Sequence, residues 1–256
     1  MMNKPLILVS NDDGISAPGI RALIEVVREI GEVVVVAPDG PQSGMGHAIT
    51  LNSTLRCDKV HIDEGPQTEY ACSGTPVDCV KLAVSTIMDR KPDLCVSGIN
   101  HGSNSSINVI YSGTMSAAVE GALEGIPSVG FSLLDYAHDA DFTASKEVVR
   151  KIVHKVLDEG LPKGSCLNVN IPNLAYEDIN GYKVCRQADA NWVEDFDERK
   201  DPMGRTYYWL TGSFQNFDKG NDTDEWALAN GYVSVVPVKF DITAHETIPF
   251  LKKWEL

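Results

Sequence analysis

Cationic side chains are scarce in this 256-residue chain: 22 Lys and Arg stand against 36 Asp and Glu, for a formal net charge of -14. A surface that grips a nucleic-acid backbone needs clustered Lys and Arg. A nucleic-acid polymer is therefore not an expected partner, and any phosphate ester handled here has to be held by a local device such as a metal ion or a helix N-terminus. Long apolar runs are missing as well. The opening MMNKPLILVSNDDG is too short in its apolar part for a signal peptide and no stretch approaches a membrane span, so the expectation is a cytoplasmic protein with no membrane partner. The six cysteines (Cys57, Cys72, Cys79, Cys95, Cys166, Cys185) contain no C-x-x-C pair and several fall inside apolar runs, which makes buried free thiols the expectation. There is no internal repeat and no low-complexity tract.

What is present is an alternation of strand and helix signals. Leu6 to Val9 is a bare apolar run of the kind buried on both faces of a parallel sheet. From Ile20 the apolar positions Ile20, Leu23, Ile24 and Val27 recur at helical spacing, with Arg21 and Glu25 paired on the outer face. Val33 to Ala37 is the next strand, and extended segments, a candidate hairpin, fill Thr50 to Ala71. Then follow a helix over Pro76 to Met88, a strand at Leu94 to Ser97, a helix over Met115 to Leu123, a strand at Val129 to Phe131, a helix over Ala144 to Leu157 and the strand CLNVNIP. This is the doubly wound α/β pattern. The length suits one domain of residues 1–256, with a core to about 180 and a β-rich arm over about 181–256. In the arm, YKVCR and TYYWLTG are separated by a polar, Asp-rich stretch from Ala188 to Gly204. A short helix at Thr223 to Asn230 and a strand at Tyr232 to Val236 bring the chain back.

Four loops at strand ends carry chemistry, each with a plainer alternative. Asn11-Asp12-Asp13-Gly14 lies between the first strand and the first helix, at the carboxyl edge where open α/β sheets bind their ligands. Asn-Asp-Asp-Gly is also sound turn chemistry, yet two adjacent carboxylates repel, and a cation relieves that. The glycine-rich DGPQSGMGHAIT offers Ser43 as an oxygen ligand, or is a flexible loop. In VSGINHGSNS, Asn100 can supply a neutral oxygen to a hard cation, or close an Asx turn; His101 could be a metal ligand or general acid, but a lone histidine in a polar loop reads first as solvated. In YSGTMSAAVEGALEG, Ser112-Gly113-Thr114 precedes a helical stripe, so free N–H groups, the helix dipole and two hydroxyls can converge on a phosphate, or a hydroxyl simply caps the helix. The earlier SGTPVDCVKL differs: Pro76 lacks an N–H and Asp78 would repel phosphate, so that copy reads as structural. The all-oxygen set Asp12, Asp13, Ser43 and Asn100 suits one Mg or Mn ion better than zinc, and no C-x-x-C, H-E-x-x-H or EF-hand spacing competes. An ion beside a phosphate-holding helix points to phosphate ester hydrolysis.

The blocks ILVSNDDGISAPGI, CSGTPVDCVKLA, VSGINHGSN and YSGTMSAAVEGALEGIPS, in this order, resemble those of the SurE family, stationary-phase survival proteins that act as 5′- and 3′-nucleotidases. The likeness spans Leu6 to about Ser132 and weakens beyond. It implies a Rossmann-like, mostly parallel sheet, a β-rich C-terminal arm exchanged within a homodimer or homotetramer, and hydrolysis of nucleoside 5′-monophosphates, with 3′-monophosphates and short polyphosphate as further substrates. By the same resemblance one divalent ion per subunit, Mg or Mn, is held by Asp12, Asp13, Ser43 and Asn100. Asn11, Gly44, Asn104, Ser112, Gly113 and Thr114 line the phosphate pocket, and Asp12 or Asp13 orients the attacking water. His101 sits where the family motif varies and carries no inherited role.

Three other classes remain to be separated. A haloacid-dehalogenase-type phosphatase uses an Asp nucleophile in D-x-D-x-T, whereas here the carboxylates are adjacent and the Thr is missing. A Rossmann dehydrogenase needs G-x-G-x-x-G where this chain has NDDG. A metal-dependent nucleotide-binding module without turnover would present the same site and release no phosphate. Trp192, Phe196, Tyr207 and Trp209 could stack on a base, but as core or interface residues they need no such role.

Overall fold

The protein is described by a computed structural model that covers residues 4–137 and 139–254; the outermost residues of the expected 1–256 unit lie outside the described residues. The chain runs β1 (Leu6–Ser10), α1 (Pro18–Ile30), β2 (Glu32–Pro38), β3 (Cys57–Val60), β4 (Thr68–Cys72), α2 (Pro76–Leu82), β5 (Leu94–His101), α3 (Gly113–Leu123), β6 (Ser128–Leu133), α4 (Thr143–Glu159) and β7 (Ser165–Ile171). Then come β8 (Tyr182–Val184), β9 (Ala190–Lys200), β10 (Thr206–Asn216), α5 (Asp224–Ala229), β11 (Val233–Lys239) and α6 (Ile248–Leu251).

One mixed sheet takes the order β3-β4-β2-β1-β5-β6-β7-β11-β8. The strands from β4 to β7 pair in parallel, with β3 and β11 antiparallel to their neighbours and β8 parallel to β11. β1 is buried along its whole length, as its apolar run requires. The period of two sends Ile7 and Val9 to one face, against Ile20 and Leu23 of α1 and Val148 and Val153 of α4. Leu8 and Val36 go to the other face, against Cys79 and Val80 of α2 and Ala117 of α3. Helices on both faces make the sheet doubly wound, and the order reverses between β1 and β5, where such folds open a crevice. Among the described residues no helix is long and apolar enough to cross a membrane.

Several expectations change in detail. α1 starts at Pro18, whose ring suits the first helical turn. Arg21 does not pair with Glu25: it reaches Glu69 at 2.8 Å and Asp63 at 3.3 Å, while Glu25 binds Lys146 of α4. The expected helix to Met88 stops as α at Leu82 and widens into one π-helical turn, with Met88 N–H donating to Ala83 O. The strand expected to end at Ser97 continues to His101, because a bulge between Ser97 and Asn100 lets pairing with β6 resume at Asn100↔Ser132. Gly98 is required in that bulge: its φ is +119°, and a Cβ would lie 2.3 Å from Phe131 O.

The cysteine expectation fails for two of the six. Cys57 and Cys72 stand directly opposite each other in the β3–β4 hairpin and are joined as a disulfide, whereas Cys79, Cys95, Cys166 and Cys185 are free and buried. The polar stretch Ala188 to Gly204, expected as a separator, is largely β9, paired with β10 from Ala190↔Asn216 to Lys200↔Thr206. Phe196, Tyr208, Trp209 and Leu210 of this ribbon are exposed. A ribbon with two open faces needs no apolar alternation, so its sequence carries no strand period.

Candidate active site

The carboxyl ends of β1, β2 and β5 and the start of α3 meet at the reversal of strand order. Asp12 and Asp13 leave β1, Asn100 and His101 end β5, and Ser112 caps α3, its Oγ accepting from Met115 N–H at 3.0 Å. The loop after β2 is drawn over them by backbone bonds, Gln42 N–H to Asp12 O at 2.7 Å and Gly46 N–H to Tyr111 O at 3.2 Å. At its far end His47 meets Glu120 of α3 at 2.9 Å, and Lys81 of α2 meets the same buried carboxylate at 2.6 Å. Burial would raise the Glu120 carboxyl, but these two partners outweigh it and hold the group below its usual range.

These elements enclose a cleft of about 230 Å³. Asp12, Asp13, Ser43, Gly44, Asn100, Asn104 and Ser112 line it, while Asn11, Gly113 and Thr114 stand behind that lining. Asn11 closes the turn, donating from Nδ2 to Gly14 O at 2.8 Å, and its Oδ1 is buried with no partner. Thr114 is fully buried and donates from Oγ1 to Asp12 Oδ1 at 2.5 Å. Gly113 is small by necessity, since a Cβ there would lie 2.6 Å from Asp12 Cβ. The α3 turn therefore packs directly against the first carboxylate. Gly44, with φ +74° and open space around it, is needed only for its left-handed backbone.

Asp12 is 4% exposed. Its burial pushes the carboxyl up to about 6; the Thr114 hydroxyl pulls the other way, and the Asp13 charge adds to the rise. Asp13 is more open and lies 3.5 Å from Nδ1 of His101, which is not solvated as expected: it lines the cleft, is largely buried and packs edge-to-face with Phe142. Asn100 donates from Nδ2 to Gly102 O at 2.9 Å and His101 O at 3.1 Å, so its amide oxygen is the end left to accept or ligate. Asn104 is clamped by an amide network from β6 and β7. Its N–H donates to Asn170 Oδ1, its O accepts from Asn168 Nδ2 and its Nδ2 donates to Ser132 Oγ, each at 2.8 Å.

The donor set fits a hard divalent ion. No Lys or Arg is among the residues that line the cleft, whereas two carboxylates are. A phosphate placed there meets the start of α3 on one side and the repulsion of two carboxylates on the other, which a bound cation would relieve. The oxygens of Asp12, Asp13, Ser43 and Asn100 are the chemistry that Mg or Mn accepts. Among the described residues no group of three or more His, Cys, Asp or Glu could hold a metal, so any ion here depends on neutral oxygens as well as the Asp pair.

One wall of the cleft is built from residues outside the motif positions. Ser103, Asn108, Tyr111 and Tyr136 line it together with Trp192, which arrives from the root of β9. Trp192 donates from Nε1 to Asn108 Oδ1 at 2.8 Å and packs edge-on against Phe214. Motif spacing could not place an arm residue here. Trp192 is one of the four arm aromatics that could stack on a base, and only the fold distinguishes it from Phe196, Tyr207 and Trp209.

Residues 7–194 match the family described as survival protein SurE. A protein of Flavobacterium psychrophilum named 5′-nucleotidase SurE is 67% identical over 255 residues, covering 100% of this chain and 99% of that protein. One of the same name from Phocaeicola vulgatus is 48% identical, covering 99% of this chain and 98% of its own length. The crystal structure of the SurE protein from Aquifex aeolicus is 42% identical and superposes with a TM-score of 0.84, covering 97% of this chain and 98% of that one. The family match over most of the chain, and relatives of the same family matched over nearly all of it, show that the chain is a member of the SurE family.

Proposed function

We propose that this protein is a phosphomonoesterase that hydrolyses nucleoside 5′-monophosphates to nucleoside and phosphate, with one Mg or Mn ion per subunit held by Asp12, Asp13, Ser43 and Asn100. The observation that supports the metal dependence is the lining: no Lys or Arg and two carboxylates, whose repulsion of a phosphate a bound cation would relieve. The nucleotide specificity rests on the named relatives. When bound, such an ion supplies positive charge to the phosphoryl oxygens and makes water acidic enough to attack. Asp12, held by Thr114, and the more open Asp13 orient that water. Ser112 and the free N–H groups at the start of α3 face the charge that develops on phosphorus oxygens. Gly44 and Asn104 border the same space, and Asn11, Gly113 and Thr114 hold Asp12 and its turn in place.

Because these groups recognise a terminal phosphoryl group and not its attachment, 3′-monophosphates and short polyphosphates belong to the proposed substrate range. The exposed apolar residues of the β9–β10 ribbon, with Ile242, Phe250 and Trp254 beyond β11, support a homodimer or homotetramer in which this arm docks on a second subunit. A cytoplasmic location completes the proposal. The test is phosphate release from nucleoside 5′- and 3′-monophosphates by chelator-stripped protein, with and without added Mn or Mg. Multiple turnovers that require the metal are expected. Metal binding with no release from any substrate would instead favour the binding module.

A further inference from the structure

Hydrolysis of a nucleotide ester breaks the bond between phosphorus and a sugar oxygen. That oxygen leaves as a strongly basic alkoxide unless a proton reaches it in the transition state. In the proposed function Asp12 and Asp13 serve the attacking side and the metal, which leaves His101 and the hydroxyls of the cleft wall as proton donors. One wall residue leads out of the site. Ser103 lines the cleft, and its Oγ lies 2.5 Å from Ser105 Oγ. Ser105 is 1% exposed and its hydroxyl binds Glu225 Oε1 in the first turn of α5. The Ser105 N–H also donates to Ser103 Oγ at 3.1 Å. With Glu225 ionised, Ser105 donates to it and the Ser103 hydrogen is held by Ser105 Oγ; with Glu225 protonated and donating to Ser105, Ser105 donates to Ser103 and the Ser103 hydrogen is released to turn into the cleft.

We infer that Ser103, Ser105 and Glu225 form a proton relay that protonates the leaving oxygen of the nucleotide, an inference that rests on the hydrolase reading above. As the P–O bond breaks, its electron pair stays on the sugar oxygen and takes the hydrogen of Ser103 Oγ. Ser103 takes that of Ser105, and Ser105 takes the proton of the Glu225 carboxyl, which becomes a carboxylate and regains a proton from solvent. The net reaction stays ester plus water to alcohol plus phosphate. Ser103 touches the substrate; Glu225 acts only through the two hydroxyls.

The surroundings of Glu225 suit that task. Burial raises its carboxyl above the ordinary value, opposed by the Ser105 hydrogen bond and assisted by the charge of Asp224. Asp224 is the charged neighbour that acts on it, and its own oxygens are taken by the N–H groups of Ser106, Ala188 and Glu225. Those bonds, with Ser106 Oγ donating to Ala188 O and Ala190 O, pin α5 and the root of β9 to the 103–106 loop. The plainer role for Glu225 is an acidic residue at a helix N-terminus. Such a role would affect folding and every substrate alike.

The experiment compares Glu225→Gln, Ser105→Ala and Ser103→Ala with wild type on a nucleoside 5′-monophosphate and on p-nitrophenyl phosphate, whose leaving group needs no proton. For the nucleotide, kcat is expected to fall on the order of 10²-fold with little change in KM. Turnover of p-nitrophenyl phosphate should stay at the wild-type level in Glu225→Gln and Ser105→Ala, whose side chains do not touch the substrate. Wild-type kcat on the nucleotide should decline as pH rises through the raised Glu225 value, and Glu225→Gln should lose that limb. Equal losses on both substrates, or no loss on the nucleotide, would overturn the relay while leaving the hydrolase reading intact. A wild-type chain inert on both substrates would overturn the hydrolase reading and the relay with it.

Discussion

Replacing Asp12 by Asn should abolish turnover and at the same time stabilise the metal-free protein above neutral pH. The buried carboxyl titrates at about 6 in the folded chain against 3.8 for an ordinary aspartate. Between those values the folded state holds a proton that the unfolded state has released, so stability falls as pH rises through the window and stays low above it. At ~1.4 kcal/mol per unit the loss is roughly 3 kcal/mol. Asn carries no charge to bury and can still accept from the Thr114 hydroxyl, so it escapes this penalty. For a chain of this size that corresponds to a melting temperature about 6–12 °C higher at pH 8 in chelator. The advantage should nearly vanish at pH 3.5, where the wild-type group is protonated in the folded state and mostly protonated in the unfolded one. Added Mn should reverse the order at pH 8, because the ion binds the ionised wild-type site. The assay is thermal unfolding of both proteins at the two pH values, with chelator and with Mn. An Asp12→Asn variant less stable than wild type at pH 8 in chelator would refute the electrostatic reasoning.

Gly113→Ala places a Cβ 2.6 Å from Asp12 Cβ, so the first carboxylate or the α3 turn must shift; kcat should drop at least ~10²-fold, with the far-ultraviolet spectrum unchanged. Asn170→Ala strips the partner from Asn104 N–H and leaves Asn168 half-satisfied, at a cost of about 2–4 kcal/mol in chemical denaturation. Its KM for nucleotides should rise more than its kcat falls. Trp192→Ala removes the aromatic wall supplied by the arm, and KM for purine nucleotides should rise on the order of tenfold. Hydrolysis of ribose 5-phosphate, which has no base to stack, should be unchanged; equal effects on both would assign Trp192 to packing alone.

Legibility in the sequence followed burial. β1 and β2 are covered on both faces, so Leu6 to Val9 and Val33 to Ala37 announce themselves as apolar runs, and the loops that follow them carry their polar residues in one block. SGTPVDCV, read as structural from Pro76 and Asp78, caps its helix as expected, with Thr75 and Asp78 joined by reciprocal hydrogen bonds. What stayed hidden depends on chain segments meeting from afar. The bulge at Gly98 looked like a loop because glycine and asparagine dominate it, although the strand continues to His101. The Cys57–Cys72 bond needs the hairpin register, which spacing alone does not set. Thr114 read as a phosphate donor, yet its proton goes to Asp12, a choice made by the depth of the α3 turn against β1. Trp192 and Glu225 reach the cleft wall and its relay only because α5 and the root of β9 return to the 103–106 loop.

The central claim, that the Asp pair holds the ion on which phosphate release depends, is tested most directly by titrating stripped protein with Mn. Bound Mn is counted by electron paramagnetic resonance while release from a nucleoside 5′-monophosphate is followed in the same samples. Turnover should rise in proportion to the filling of one site per chain, and Asp12→Asn should lose both together. Full turnover before any Mn is bound, or an Asp12→Asn variant that binds and turns over like wild type, would contradict it.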